Sequence, residues 1–205
     1  MSTLEQALIL KTAPSGESFV SIHALSAERG LFHCLKRIAK STKKPSPKPD
    51  LFDTAELQLE ASKSGNGTLF VKDYRLHRSR GNIGSSYNSL LNACQYAGML
   101  VRNGTHLPDT GALFTLAERT CDAFDSGKAP QIVLLKGLYL LLQTEGFPIR
   151  EDWLPRLDGI SRELARELIQ NPISETPTKE SLEGCEALTE DLYRWLQRET
   201  DVMLP

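Results

Sequence analysis

The hydrophobic pattern of this 205-residue chain changes its period at the turn Gly81-Asn82-Ile83-Gly84. Before the turn, apolar residues alternate with polar ones, most regularly over residues 55–61, as they do in strands with one buried face. After the turn, apolar residues recur at spacings of three and four, as they do in amphipathic helices. The change predicts an α+β protein, with a β domain over residues 1–81 followed by an all-α domain over residues 82–205.

The β domain should contain five short strands. They are predicted over residues 7–11, 19–25, 31–38, 55–61 and 69–74. Glycines in residues 64–68 supply the turn that joins the last two strands into a hairpin. Five strands are too few for a two-sheet sandwich and suit a small, partly open barrel, so we expect an OB-like β-barrel.

The second domain should be a helical bundle. Helices are predicted over residues 90–101, 113–124, 132–142, 160–169 and 188–203, with a linker over residues 171–177. The helix over residues 132–142 is apolar nearly all round, which places it at the centre of the bundle. This apolar run is too short to cross a bilayer, which needs about 20 residues. Because no secretory signal is evident at the N-terminus either, we expect a cytoplasmic protein that does not contact a membrane.

Basic side chains cluster from the end of the third predicted strand into the segment that follows it. Six cations occur within thirteen positions and no acid interrupts them: Lys36, Arg37, Lys40, Lys43, Lys44 and Lys48. Pro45, Pro47 and Pro49 forbid a helix or a central strand in this stretch. The cations should therefore lie at the end of this strand and on a long exposed connector, whose positive potential favours a polyanionic ligand.

Charge divides unevenly between the two halves of the chain. Residues 1–81 hold 13 Lys and Arg against 8 Asp and Glu, a difference of +5, and residues 82–205 hold 11 against 18, a difference of −7. These differences sum to the net charge of −2. A basic module is therefore joined to an acidic one, and a uniformly cationic nucleic-acid coat protein is excluded.

The sequence suggests which side chains bind DNA. We expect phosphate contacts from the six connector cations and from three arginines at the exit of the last strand, Arg75, Arg78 and Arg80. Pairing of these three arginines with acids of the helical half is the alternative. His33 and His77 lie among basic residues and are further candidates for phosphate contacts, although surface strand positions explain them equally well.

Aromatic residues of the β domain are candidate platforms for base stacking. They are Phe32, Phe52, Phe70 and Tyr74. Filling of the barrel is the simpler interpretation for each of them. Phe52, which lies beside the connector, is the best candidate for stacking.

No motif of enzyme chemistry occurs in the chain. A nucleotide-binding glycine loop, a His-Glu-x-x-His helix and a nucleophile turn are all missing from the sequence. Asp50, Asp53 and Glu56 could group around a metal, but a solvated strand start is the simpler interpretation. The four cysteines lack zinc-site spacing and are expected to be reduced and buried. We therefore predict no catalytic residue, no metal and no cofactor.

Several short motifs occur in an order that resembles the RecO family of bacterial recombination mediators. Over residues 7–157 they are Ala7-Leu8-Ile9-Leu10-Lys11 with Gly16-Glu17-Ser18, Glu28-Arg29-Gly30, Lys36 with Ala39-Lys40-Ser41, Leu51-Phe52, Glu56-Leu57, and the apolar helix of residues 134–146 followed by Phe147. Two departures stand out. No four-cysteine zinc module follows the apolar helix, so the metal should be absent, and Arg37 replaces the family's glycine.

The resemblance implies an OB-fold that binds single-stranded DNA, with double-stranded DNA as a second ligand, and promotes annealing. It implies action with a RecR-like protein to help load recombinase onto strands coated by single-strand binding protein, in the bacterial cytoplasm at the nucleoid. The alternative is a non-enzymatic protein-interaction adaptor whose barrel no longer binds DNA.

A groove in the helical half is a candidate site for the acidic C-terminal tail of single-strand binding protein. Tyr87, Tyr96 and Trp153 would line this groove, and Arg102, Lys136 or Arg150 would supply a nearby cation. Packing of the three aromatic residues between helices is the simpler interpretation.

Overall fold

A computed structural model of the chain describes residues 2–38, 48–62, 67–104 and 109–205. The first half forms five strands, β1 (Ser2–Ser15), β2 (Phe19–Ser26), β3 (Gly30–Arg37), β4 (Thr54–Ala61) and β5 (Leu69–Arg78). Each predicted strand is confirmed. β1 extends well beyond residues 7–11 because its first half pairs with β4 and its second half with β2, and its register shifts between Ile9 and Lys11.

The strands close into an OB-like barrel. Their order around the barrel is β1-β2-β3-β5-β4, and all pairings are antiparallel except that of β3 with β5. The barrel is closed rather than partly open, because Cys34 and Lys36 of β3 pair with Leu69 and Val71 of β5. Small and branched side chains such as Ala7, Ile22 and Leu57 fill the interior.

The second half is helical. Its helices are α1 (Tyr87–Asn103), α2 (Thr110–Asp125), α3 (Pro130–Thr144), α4 (Leu154–Arg156), α5 (Gly159–Gln170) and α6 (Lys179–Glu199). A 3₁₀ turn over Gly81–Ser85 precedes α1, and a π-helical turn over Ile149–Trp153 precedes α4. Side-chain oxygens of Ser86, Asp109, Asp158 and Thr178 accept backbone N–H bonds at helix starts, as N-cap residues do.

The last helix differs from the prediction at both ends. It begins at Lys179 rather than at Leu188, because Thr178 caps it and Leu182 and Cys185 already lie on its packed side. Gly184 does not break this helix. A Cβ atom at Gly184 would collide with Leu164 of α5, so the glycine allows the two helices to approach closely. The helix ends at Glu199, where Thr200 becomes extended.

α3 lies at the centre of the helices, as its sequence predicts, with nearly every side chain buried. Its Gly137 allows α1 and α2 to approach closely. A Cβ atom at this position would lie 2.8 Å from Thr120 Cγ2 of α2 and 3.1 Å from Tyr96 Cε2 of α1. Leu8, Leu10, Leu25 and Phe52 of the barrel half join the same core cluster as the helices. One side of the barrel therefore packs against the helical half.

No single helix in the described part of the chain combines the length and hydropathy needed to cross a membrane. The segments Pro130–Thr144 and Ile149–Arg156 meet that requirement only when taken together, and they are bent by 117° at the break between them.

Candidate nucleic-acid interface

The cations that are predicted to contact phosphate lie in very different surroundings. Lys40, Lys43 and Lys44 lie outside the described residues, which stop at residue 38 and resume at residue 48. The other six cations fall into two groups. Lys36, Arg78 and Arg80 are buried or paired with acids, whereas Arg37, Lys48 and Arg75 are exposed and form no salt bridge with any described residue.

Arg80 is the most buried of these cations, with a side chain 0% exposed. Its guanidinium donates to Asp122 Oδ1 at 2.6 Å, to Glu118 Oε1 at 3.0 Å and to the carbonyl of Phe52 at 2.7 Å. Arg78 also forms a salt bridge with Asp122, at 2.7 Å. Pairing with acids of the helical half is therefore confirmed for both arginines. Arg80 joins the barrel to α2 and does not face solvent.

Lys36 points away from solvent, at 7% exposure. Its ammonium lies 5.8 Å from the centroid of the Tyr74 ring, a cation–π distance. Burial lowers the pKa of Lys36, and the Asp73 carboxylate partly opposes this shift. Strand alternation explains the difference from its neighbour: Lys36 lies on the inward row of β3 and Arg37 on the outward row.

The aromatic candidates are mostly core residues. Phe32 and Tyr74 belong to the barrel core, and the Tyr74 hydroxyl donates to Asp53 Oδ2 at 2.8 Å. Burial and the Asp53 carboxylate raise the pKa of Tyr74. The prediction that Phe52 is the best stacking platform is wrong. Phe52 is 2% exposed and packs against the helices, with φ of 64°.

Phe70 is partly exposed and has a partner that the sequence-based prediction missed. Its ring centroid lies 5.9 Å from that of Phe19, and the two ring planes are inclined by 57°. Phe19 begins β2 and pairs with Arg37 of β3, while Phe70 pairs with Leu35 of β3. β3 therefore lies between the two strands that carry the rings. The signal for Phe19 was its place in the alternating row with Ser21 and His23.

A row of basic side chains continues from this aromatic pair. Lys11 of β1 pairs with His23 of β2, which pairs with His33 of β3. The two imidazole rings lie 5.0 Å apart, and His33 Nε2 is hydrogen-bonded to Ser21 Oγ at 2.8 Å. Burial lowers the pKa of His23, and the nearby His33 and Lys11 lower it further.

We call this surface the barrel face. It comprises eight outward positions of β1, β2, β3 and β5: Lys11, Phe19, Ser21, His23, His33, Leu35, Arg37 and Phe70. None of these eight positions is Asp or Glu, but Glu60 of β4 pairs with Phe70 beside them and forms a salt bridge with Lys72 at 2.9 Å. Lys40, Lys43 and Lys44 follow Arg37 and Ile38 in the sequence and lie outside the described residues. Stacking and phosphate binding are the interactions that such a surface offers.

The other predicted cations lie elsewhere. Lys48 precedes β4, and Arg75 pairs with Glu56 across β4 and β5. His77 is exposed on β5. The described residues therefore bring only Arg37 and His33 of the sequence-based candidates together with Phe70.

The prediction that Tyr87, Tyr96 and Trp153 line a groove in the helical half is wrong. Tyr96 and Trp153 are completely buried, and only Tyr87 is exposed, at 77%. The Trp153 indole donates to Asp191 Oδ1 at 3.1 Å, which fixes it between helices. Two of the nearby cations are also engaged, since Lys136 donates to the carbonyl of Asn171 and Arg150 donates to the Tyr139 hydroxyl.

The predicted acids do not form a metal site. Asp53 is buried and accepts from Tyr74, and in the described part of the chain no three His, Cys, Asp or Glu side chains converge as a metal would need. Cys34, Cys121 and Cys185 are buried, as expected, and burial raises the pKa of each to about 12. Cys94 is exposed, so the prediction of a buried thiol is wrong there.

Comparison with known proteins identifies no family for this chain. No protein-family model matches the chain, and no curated protein matches its sequence. The resemblance to RecO therefore rests on the motifs and their order.

Proposed function

We propose that this chain is a non-enzymatic DNA-binding protein that holds a single strand on the barrel face. Following the resemblance to RecO, it would promote annealing and help load recombinase onto DNA in the bacterial cytoplasm, with a RecR-like protein and single-strand binding protein as partners. One observation carries the DNA-binding proposal: the Phe19 and Phe70 rings lie 5.9 Å apart beside the exposed Arg37.

Partly exposed aromatic rings next to cations suit a single strand. Each base that stacks on an aromatic side chain contributes about 1–3 kcal/mol, with little dependence on its identity. OB-folds bind oligonucleotides on the face of strands 2 and 3 and on the loops that flank it. Phe19 follows the β1–β2 turn and Phe70 follows the β4–β5 turn, so both rings lie beside these loops.

Cations on and beside this face would bind the backbone. Lys11 and Arg37 are exposed on the face, and Lys40, Lys43 and Lys44 follow Arg37 in the chain. Contacts with phosphates release counterions, so affinity for single strands should fall with salt at a logarithmic slope of roughly −0.7 for each neutralised phosphate. Sequence preference should be slight, since no base-edge readout is required.

The test is fluorescence anisotropy with a labelled single-stranded oligonucleotide at several salt concentrations. We expect Phe19→Ala with Phe70→Ala to weaken binding by at least about tenfold while keeping the salt slope, because stacking is not ionic. Two further variants should make the salt dependence of affinity less steep, because each removes phosphate contacts. One combines Lys11→Ala with Arg37→Ala, and the other replaces Lys40, Lys43 and Lys44 with alanine.

A matched control removes cations of the helical half, Arg166→Ala with Lys179→Ala, both exposed on α5 and α6. This variant should bind DNA as the wild type does. An affinity that responds neither to salt nor to any barrel-face variant would contradict the proposal.

The adaptor alternative has one observation in its favour. Arg78 and Arg80 are paired with Asp122, and Lys36 is buried, so three of the nine candidate cations are not free for phosphate. The same titrations separate the alternatives, because an adaptor without DNA binding gives no salt-dependent anisotropy signal.

A further inference from the structure

A pocket of about 560 Å³ opens between α1, α3, α6 and the residues that follow α6. Its apolar part is formed by Met99, Leu141, Leu142, Phe147 and Trp195. The volume lies within the range of ligand-binding pockets, about 300–1,000 Å³. The pocket is far larger than a single water site, and its apolar walls favour a bulky hydrophobic group.

Acids surround this apolar floor. Glu145, Asp152, Glu199 and Asp201 line the pocket, and no Lys, Arg or His is among the lining residues. Arg156, which lies beside the pocket, forms salt bridges with Asp152 at 2.8 Å and with Glu199 at 2.5 Å. In contrast, Glu145 and Asp201 form no salt bridge with any residue that the structure describes.

Glu145 has an unmet hydrogen-bonding requirement. Its Oε1 atom is buried and accepts no hydrogen bond within the described part of the chain. Burial raises the pKa of Glu145, and the nearby Asp109 raises it further. A cation bound in the pocket would favour the charged form of Glu145 and would offset the repulsion between Glu145 and Asp109.

We propose that this pocket binds a segment of a partner protein in which a bulky apolar side chain lies beside Lys or Arg. The apolar side chain would pack on Leu141 and Trp195, and the cation would be bound by Glu145 and Asp201. Charge complementarity carries this choice, because an acidic segment would be repelled by the same carboxylates. The proposal is independent of DNA binding by the barrel.

The two tryptophans of the chain provide a built-in reporter and control. The Trp195 indole N–H lines the pocket and donates to Asp152 Oδ2 at 2.8 Å, whereas the Trp153 indole N–H donates to Asp191 away from it. In ¹⁵N-edited NMR spectra of the full chain, each indole gives its own signal. A ligand in the pocket should move the Trp195 signal and leave the Trp153 signal in place.

The probe is a capped peptide, Gly-Lys-Leu-Phe-Lys-Gly, and its matched control has both lysines replaced by glutamate. We expect saturable movement of the Trp195 signal with the basic peptide only. Glu145→Gln with Asp201→Asn should weaken that binding by roughly tenfold. Glu175→Gln with Glu190→Gln changes the net charge equally at exposed positions outside the pocket and should leave binding unchanged.

The proposal is overturned if the acidic peptide binds as well as the basic one, or if neither moves the Trp195 signal. It is also overturned if the Glu145 and Asp201 variant binds as the wild type does while its Trp153 signal shows an intact fold. Equal affinity for free 2-phenylethylammonium would assign the pocket to a small amine instead of a peptide.

Discussion

Arg80 Nε donates to Asp122 Oδ1 at 2.6 Å, and this bond connects the end of the last barrel strand to α2. The same guanidinium binds Glu118 and the carbonyl of Phe52, so one side chain contacts a helix and the segment before β4. Thr54 Oγ1 accepts from Arg80 and donates to Glu118, which closes the network. The orientation of the barrel relative to α2 therefore depends on a buried, hydrogen-bonded cation.

Arg80→Met should destabilise the protein by about 1–3 kcal/mol, because the buried Phe52 carbonyl and the Glu118 carboxylate lose their donor, while Asp122 keeps its salt bridge with Arg78. Urea denaturation followed by circular dichroism measures this loss. Arg78→Met is the control, since Arg78 pairs with the same Asp122 but is 54% exposed. Its loss should be below about 1 kcal/mol. Equal losses for the two variants would contradict the role assigned to Arg80.

Gly137→Ala should cost about 1–3 kcal/mol, because the added methyl group would lie 2.8 Å from Thr120 Cγ2, where α1, α2 and α3 meet. Gly159→Ala, at the start of α5, meets no atom within 4 Å and should be neutral or stabilising by up to about 1 kcal/mol. Thermal unfolding of both variants checks this. A Gly137→Ala protein as stable as the wild type would show that the helices repack around the methyl group.

The elements themselves were largely predictable from the sequence. Alternation of apolar and polar residues in 55–61 and the helical spacing after Gly81 depend only on local sequence, and the structure follows both. N-cap residues such as Thr178 also act locally, and giving them more weight would have placed the start of α6 correctly. The role of Gly184 could not be predicted from local sequence. It depends on Leu164 of another helix, which packs where a Cβ atom of residue 184 would lie.

The candidate site was less predictable, because its members meet only through non-local pairing. Phe19 and Phe70 lie far apart in the chain and become neighbours because β3 pairs with both β2 and β5. Phe52 stood beside a basic segment in the sequence, but the packing of the helices on the barrel buries it. For Arg80 the sequence left two alternatives, phosphate binding or pairing with acids of the helical half, since its particular partners on α2 could not be identified before the fold was known.

Stability should depend on pH through His23. Burial, His33 and Lys11 lower the pKa of His23 below its ordinary value of 6.5 in the folded protein. The unfolded chain therefore binds more protons, so the free energy of unfolding should fall as the pH drops through 6.5 toward the lowered folded pKa. His23→Gln should reduce this dependence in urea titrations between neutral and mildly acidic pH. An identical pH dependence in both proteins would contradict the assignment.

DNA binding on the barrel face should respond to pH in the opposite sense. A phosphate near His23 would offset the repulsion from His33 and Lys11 and raise the pKa of His23, so binding would take up a proton. Affinity for a single strand should therefore increase as the pH falls below neutral. Anisotropy at constant ionic strength measures this, and the increase should be smaller for His23→Gln. A larger effect in the variant would exclude His23 as the linked group.

The adjacent residues Lys36 and Arg37 should affect DNA binding differently. Lys36 is buried against Tyr74, and Arg37 is exposed beside Phe19, because alternate residues of β3 point to opposite sides of the barrel wall. Arg37→Met should make the salt slope of single-strand affinity less steep by roughly 0.7, the contribution of one phosphate contact. Lys36→Met should leave the slope unchanged, since a buried ammonium neutralises no phosphate. The methionine side chain preserves much of the aliphatic volume at that position. The measurement is the logarithm of affinity against the logarithm of salt concentration for the three proteins. A slope that changes with Lys36 and not with Arg37 would contradict binding of DNA along the outward row of β3 and would exclude the barrel face as its site.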